Sequence, residues 1–297
     1  MMNPINPIIF QLGAFEIRWY GVLIMTGVAL GAYFASRLAT KRGIDPDHVW
    51  GGLILAVVLA IAGARLYHVF SIPEGCTPET PCGWYWYREH PIDAIAFWKG
   101  GFQGLGIYGA ILGGSLGVII YSWWNKVHPL DLLDLAMPGL AFGQFIGRWG
   151  NFINQELYGP PTGSDWYGIK LNRELPHQPP PDGRYDLLYH PTFLYESLWC
   201  LVSFIILYNV HSRLAHRLRK GDVLLGYLIL YPLGRFFIEF FRPDAWTIGQ
   251  LATAQWIAII LVVGSSIVLA LRHIFWDRDK PGAEPPEEPA PEGAVAA

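Results

Sequence analysis

From Leu132 to Gly159 the chain reads "LLDLAMPGLAFGQFIGRWGNFINQELYG". Leu132 to Phe152 is an apolar run close to the roughly 20 residues that cross a bilayer as a helix. Its end, however, carries an arginine, two asparagines, a glutamine and a glutamate. Polar groups beside hydrocarbon are costly, so they face a cavity, a partner or a substrate.

Outward from this stretch the same apolar pattern recurs. Runs occur at about Trp19 to Ala39, Val49 to Phe70, Gly104 to Trp124, Thr192 to Val210, Val223 to Phe241 and Thr253 to Phe275. Only 15% of the 297 residues are charged, against roughly 25% in a soluble domain. The pattern predicts an all-α integral membrane protein of about seven transmembrane helices. Orientation follows from where Lys and Arg lie rather than from the net charge of -3. Arg37, Lys41 and Arg42 follow the first run, Lys126 the third, Arg213, Arg217, Arg219 and Lys220 the fifth, and Arg272, Arg278 and Lys280 the seventh. These alternate connections are expected to be cytoplasmic. The N-terminus is then outside, the C-terminus cytoplasmic, and the loops at about 71–101 and 152–190 external.

The membrane domain is expected to span residues 1–276. No basic region precedes a short apolar run and a small-residue cleavage site, so no removable signal peptide is expected. The tail from Asp277, "DRDKPGAEPPEEPAPEGAVAA", is rich in Pro, Glu and Ala and is expected to be disordered cytoplasmic chain. In the external "GCTPETPCG", Cys76 and Cys82 are close enough to bridge in an oxidising compartment. Two thiols without further ligands nearby make a poor metal site. Gly109, Gly113 and Gly117 form a smooth stripe on the third helix, suited to close helix packing. No internal repeat of the kind many transporters show is visible.

Charged groups within or at the ends of the apolar runs are few: Arg65, Asp131, Asp134, Arg148, Arg235, Glu239 and Arg242. Arg235 and Glu239 are four apart, the spacing of a helical salt bridge. Arg148 shares a helical face with Asn151, Phe152 and Gln155, and Asn151 lies one turn from Asn154. Snorkelling to the interface accounts for an arginine, but not for Asn151, Asn154 and Glu156. Four arginines with few acids suggest an anion, since guanidinium groups bind phosphate through paired, charge-assisted bonds. The nearest abundant anion is a phospholipid headgroup. A lipid-modifying enzyme, a lipid or anion transporter or flippase, and a membrane scaffold all fit these residues.

The stretch "GRWGNFINQELYG", Gly147 to Gly159, matches G-R-x-G-N-F-I-N-x-E-x-x-G and so resembles the signature of the bacterial prolipoprotein diacylglyceryl transferases. "RWYG" (Arg18 to Gly21), "GAR" (Gly63 to Arg65), "HPTFLYE" (His190 to Glu196) and "GRFFIEFFRPD" (Gly234 to Asp244) agree in order, and the resemblance covers about Ile8 to Phe275. It implies transfer of a diacylglyceryl group from phosphatidylglycerol to the lipobox cysteine of a prolipoprotein signal peptide, releasing glycerol 1-phosphate. It further implies a multi-pass protein of the bacterial cytoplasmic (inner) membrane, with its active site toward the outer leaflet. No cofactor, metal or nucleic acid is expected.

By the same resemblance Arg148 and Arg235 hold the phosphodiester and stabilise the leaving group, Asn151 orients the headgroup, and Tyr20 is a functional position. Arg65, Asn154 and Arg242 are further candidates for substrate binding. Glu156 and Glu239 suit positioning of the arginines better than acting as bases. The family's usual histidine in the third helix is replaced here by Tyr108. A phenol, ordinarily near pKa about 10, is a poor base for a thiol near about 8.5. Either the arginines' field ionises the thiol, His190 serves as base, or the activity is altered. Replacing Tyr108 by Phe tests the tyrosine directly: unchanged turnover would exclude an acid–base role for its hydroxyl.

Overall fold

A computed structural model describes residues 5–12, 15–71, 83–95, 105–175, 179–180, 183–242 and 247–275. Cys76, Cys82 and the tail from Asp277 lie outside them. An antiparallel hairpin, β1 (Ile8–Leu12) and β2 (Phe15–Arg18), leads directly into helix α1 (Trp19–Lys41). Then come α2 (Asp47–Phe70), the short α3 (Gly83–Tyr87), α4 (Ile107–Asn125) and α5 (Pro129–Asn154). After a folded connection containing the two-residue strands β3 (Ile169–Lys170) and β4 (Leu188–Tyr189) the chain forms α6 (Thr192–Arg213) and α7 (Asp222–Ile238). A small hairpin, β5 (Thr247–Ile248) with β6 (Leu251–Ala252), precedes α8 (Thr253–Phe275).

Six of these helices are long and apolar enough to cross a membrane: α1, α2, α4, α6, α7 with its following turn, and α8. That is the pattern of a multi-pass membrane protein. The expected seven-run count differs at α5, which is the longest of the helices at 26 residues but is not among the six. The cause is in its sequence, since Asp131, Asp134, Gln144, Arg148, Asn151 and Asn154 interrupt the apolar residues. Helix α5 packs against α1, α6 and α7, so neighbouring helices cover much of its surface.

Two seams of small residues set the helix pairs. Gly27 and Gly31 on α1 meet Gly143 and Gly139 on α5, and a Cβ on Gly31 would sit 2.6 Å from the Gly139 carbonyl oxygen. The predicted stripe on α4 packs on α2, with Gly109 against Gly63 and Gly117 against Ala56. Such contact lets backbones approach closely where no hydrophobic effect drives helices together. At the far end, α7 begins under a side chain from α5. Asp134, fully buried, accepts the Gly221 amide at 2.6 Å and the Leu224 amide at 2.9 Å. These are amides that a helix start otherwise leaves unpaired.

Leu38, Ala39, Leu132 and Leu135 form the core at this end, and Met137, Ala141, Leu207, Val223 and Tyr227 continue it between α5, α6 and α7. The opposite end holds the C-terminus of α5, the start of α6, the end of α7 and the start of α1. Replacing Gly31 by Leu forces α1 off α5 and is expected to cost about 1–3 kcal/mol or more. Gly264→Leu, where nothing lies within 4 Å, is the control. A lowered thermal unfolding midpoint in detergent for the first variant alone checks the seam.

Candidate active site

Three helix ends bring one chain of charges together. Arg148, in the last turns of α5, lies 2.5 Å from Glu196 in the first turns of α6. The other Glu196 oxygen accepts from Arg235 on α7. Arg235 also lies 2.8 Å from Glu239, one turn on, in the 3-10 turn Glu239–Phe241, and Arg242 stands 3.9 Å from that carboxylate. Both glutamates are buried, Glu196 at 7% exposure and Glu239 at 6%. Burial, and next the neighbouring Arg235, pull Arg242 below the ordinary arginine value while Glu239 acts the other way. It remains cationic at neutral pH.

Three guanidiniums and two carboxylates leave this chain one net positive charge. Each guanidinium presents five N–H donors in a planar fork, so the carboxylates leave further donors on Arg148 and Arg235. The arrangement suits one oxyanion carrying a single charge.

The signature stretch closes the site. Helix α5 ends in a Schellman turn, with the Gln155 amide bonded to Phe152 and the Glu156 amide to Asn151. Gln155 occupies the left-handed position (φ 52°) usually given to glycine, and its side chain accepts the Asn172 amide at 2.7 Å. Gln155 therefore leaves the face it was expected to share with Arg148 and ties the connection to the helix. The turn carries Glu156 back over α5, where one of its oxygens accepts from Asn151 at 2.8 Å and from Asn154 at 3.4 Å. Gly150 is required because the Tyr20 ring fills the place of a side chain, 2.4 Å from where a Cβ would stand. Gly159 is required because His190 and the Phe241 carbonyl crowd it.

Of the sequence candidates, Arg148, Arg235, Glu239 and Arg242 join one network, and Tyr20, Asn151, Asn154 and Glu156 gather beside it. Tyr20 lies within electrostatic reach of both Glu156 and Arg148. Of the other three, Arg65 and Tyr108 sit elsewhere and His190 stands at the edge of the site. Arg65 donates to the carbonyls of Ala94 and Asp93, both at 2.7 Å, and lies over the Tyr87 ring. It holds the segment 83–95 onto α2. Tyr108 stands against Tyr67 on the α2–α4 pair and is 54% exposed. His190 bonds the Tyr195 hydroxyl at 2.9 Å within an aromatic group that includes Phe241.

The residue that sequence reasoning passed over is Glu196. It closes "HPTFLYE", and the signal was there: an acid in an apolar run with no basic residue within helical reach on its own helix.

The family model for "prolipoprotein diacylglyceryl transferase" matches residues 7–271. The chain belongs to that family. It is similar to proteins named phosphatidylglycerol–prolipoprotein diacylglyceryl transferase from Streptococcus mutans, at 40% identity over 91% of this chain and 96% of the relative, and from Bacillus velezensis, at 38% over 94% and 96%. A Streptococcus agalactiae relative of the same name is 37% identical with 91% and 96% covered. In this chain, then, a family named for a transferase carries a cluster of arginines where three helices end.

Removing Glu196 would take from the largely buried Arg148 guanidinium its carboxylate and leave Arg235 with Glu239 alone. Breaking such a buried pair from one side costs about 3–5 kcal/mol, so Glu196→Leu is expected to unfold at markedly lower temperature in detergent. A midpoint equal to wild type would show that the carboxylate does not hold these helices.

Proposed function

We propose that this chain transfers the diacylglyceryl group of phosphatidylglycerol to the cysteine thiol of a prolipoprotein lipobox, releasing glycerol 1-phosphate. The observation that carries this reading is the buried series Arg148, Glu196, Arg235, Glu239 and Arg242 in a chain of this family. The thiol attacks a glyceryl carbon and the bond from that carbon to a phosphate oxygen breaks. The electron pair leaves with the phosphate, so the barrier depends on stabilising charge on that oxygen.

Arg148 and Arg235 are assigned to the phosphodiester. Glu196 holds them at a fixed separation, and Glu239 keeps Arg235 and Arg242 in register. Asn151, Asn154 and Tyr20 are assigned to the headgroup side. Pre-placed donors need no reorganisation when charge develops, which is why a carboxylate-fixed pair serves better than two free arginines.

In this reading α5 is a seventh spanning helix, screened from lipid by α1, α6 and α7. The N-terminus then lies outside and the site faces the outer leaflet of the cytoplasmic membrane. The distribution of Lys and Arg in the connections supports that orientation, and such a site would meet a lipobox cysteine as the precursor emerges.

The test is direct. Purified protein in detergent, given labelled phosphatidylglycerol and a lipobox peptide, is expected to place lipid on the cysteine. No transfer by the folded protein would overturn the reading. Arg148→Lys keeps the charge but loses the planar fork, and transfer is expected to fall by about a hundredfold, the order seen on removing a charge-stabilising donor. Undiminished transfer would remove Arg148 from the phosphate.

A further inference from the structure

We infer that Glu156 is the base that takes the thiol proton in this chain, an inference that rests on the transfer reaction proposed above. Among the described residues three glutamates stand where α5, α6 and α7 meet, and their partners divide them. Glu196 binds two guanidiniums, Arg148 and Arg235. Glu239 lies between Arg235 and Arg242. A cation beside a carboxylate favours its charged form and opposes protonation. Glu156 is held by the neutral carboxamides of Asn151 and Asn154. Among the described residues it has no ion-pair partner, so unlike Glu239 it does not position an arginine as the sequence led one to expect, and it is partly exposed where the two buried glutamates are not.

The alternatives are placed differently. The Nδ1 of His190 is engaged by the Tyr195 hydroxyl in an aromatic surround. Tyr108 belongs to the α2–α4 pair. Glu156, by contrast, is fixed by the Schellman bond from its own amide to Asn151, which lies one turn beyond Arg148. Both Asn151 and Asn154 donate to the same oxygen, Oε1, which leaves Oε2 for an incoming donor. The Asn154 carbonyl oxygen is buried without a partner among the described residues, in a side chain 8% exposed. It is an acceptor placed to receive a donor from the substrate.

In the step itself the S–H bond of the lipobox cysteine breaks and its proton passes to Glu156. The sulfur pair forms the bond to the glyceryl carbon, and the carbon–oxygen bond to phosphate breaks with its electrons on the departing phosphate. The proton then passes to that phosphate or to solvent, which restores the carboxylate. Protonation removes a negative charge from this end of α5 as negative charge appears on the leaving oxygen. The two events reinforce each other.

The assignment is tested with two lipobox peptides, one with cysteine and one with selenocysteine, whose selenol is already ionised at neutral pH and needs no base. Wild type is expected to lipidate both. Glu156→Gln keeps a side-chain acceptor for the asparagines and is expected to lose about a hundredfold or more on the cysteine peptide, the usual share of general-base catalysis. It should recover most of that on selenocysteine. Its residual rate on cysteine should rise about tenfold per pH unit below the thiol pKa of about 8.5, following the thiolate fraction. Glu156→Asp, with the carboxylate restored, should regain part of the loss.

Equal losses on both peptides would make Glu156 a positioning residue and overturn the assignment. So would an undiminished rate on cysteine. Were Glu156→Gln unstable to heat, Glu156→Asp carries the same comparison, its deficit confined to the cysteine peptide. A folded wild-type protein that lipidates neither peptide would defeat the transfer reaction and the base with it, whereas activity in wild type separates the two.

Discussion

A carboxylate shared by two arginines at the meeting of three helices is the constraint on which the rest depends. Glu196 is expensive to bury alone, and so are Arg148 and Arg235, because each loses its hydration. Together they offset most of that cost, but only at one geometry, with α5, α6 and α7 in fixed register. The spatial position of the motif "GRWGNFINQELYG" is therefore set from outside the motif. Once Arg148 is held, the next turn of α5 presents Asn151 and Asn154, and the Schellman turn returns Glu156 to them. Tyr20 can then lie flat on Gly150 only if α1 runs close along α5, which the Gly27 and Gly31 seam permits.

The other end of the bundle is fixed by an acid with a different task. Asp134 receives backbone amides at the start of α7 and sets where that helix begins. Its reach then determines where Arg235 arrives, three to four turns on. Two carboxylates on different helices, one capping and one bridging, thus hold α7 along its length. Between them Gln144 donates to the Tyr227 hydroxyl at 2.9 Å, and Tyr227 stacks on Tyr231. Tyr231 in turn lies within electrostatic reach of Arg148. The polar groups that make α5 a weak membrane span by composition are those that anchor its neighbours.

How much of this could be read beforehand follows from the range of each interaction. Apolar runs are local, so helix positions were legible to within a few residues, and the glycine stripe on α4 was legible because its period of four lies on one helix. The arginines were legible because charge in an apolar run is conspicuous. Their partners were not. Glu196 is 39 residues from Arg235 in sequence, and no periodicity relates positions on different helices. Arg65 shows the same limit from the other side. As a lone cation in α2 it resembled the others, but its partners are carbonyls of a loop about thirty residues away. The folded connection after α5 was legible only as an external loop. Its core of Tyr158, Ile169, Leu171, Tyr189 and Phe193 is drawn from irregular spacings, which leave no pattern to find.

The tyrosine at position 108, where the resemblance implies a histidine, bears on how such a site divides its work. A cluster with net positive charge lowers the cost of every anion near it, whether a phosphate oxygen or a cysteine sulfur. The same arginines that favour the leaving group therefore also narrow the gap between the thiol and a weak base. A histidine base on α4 is then one solution among several, and a carboxylate held by two asparagines is another. What the chemistry requires is separation: carboxylates that fix the arginines must not compete for the proton, and one that takes the proton must not neutralise the arginines. Placing Glu196 and Glu239 within the ion pairs and Glu156 beyond the end of α5, on amides alone, achieves that separation with residues on three different elements.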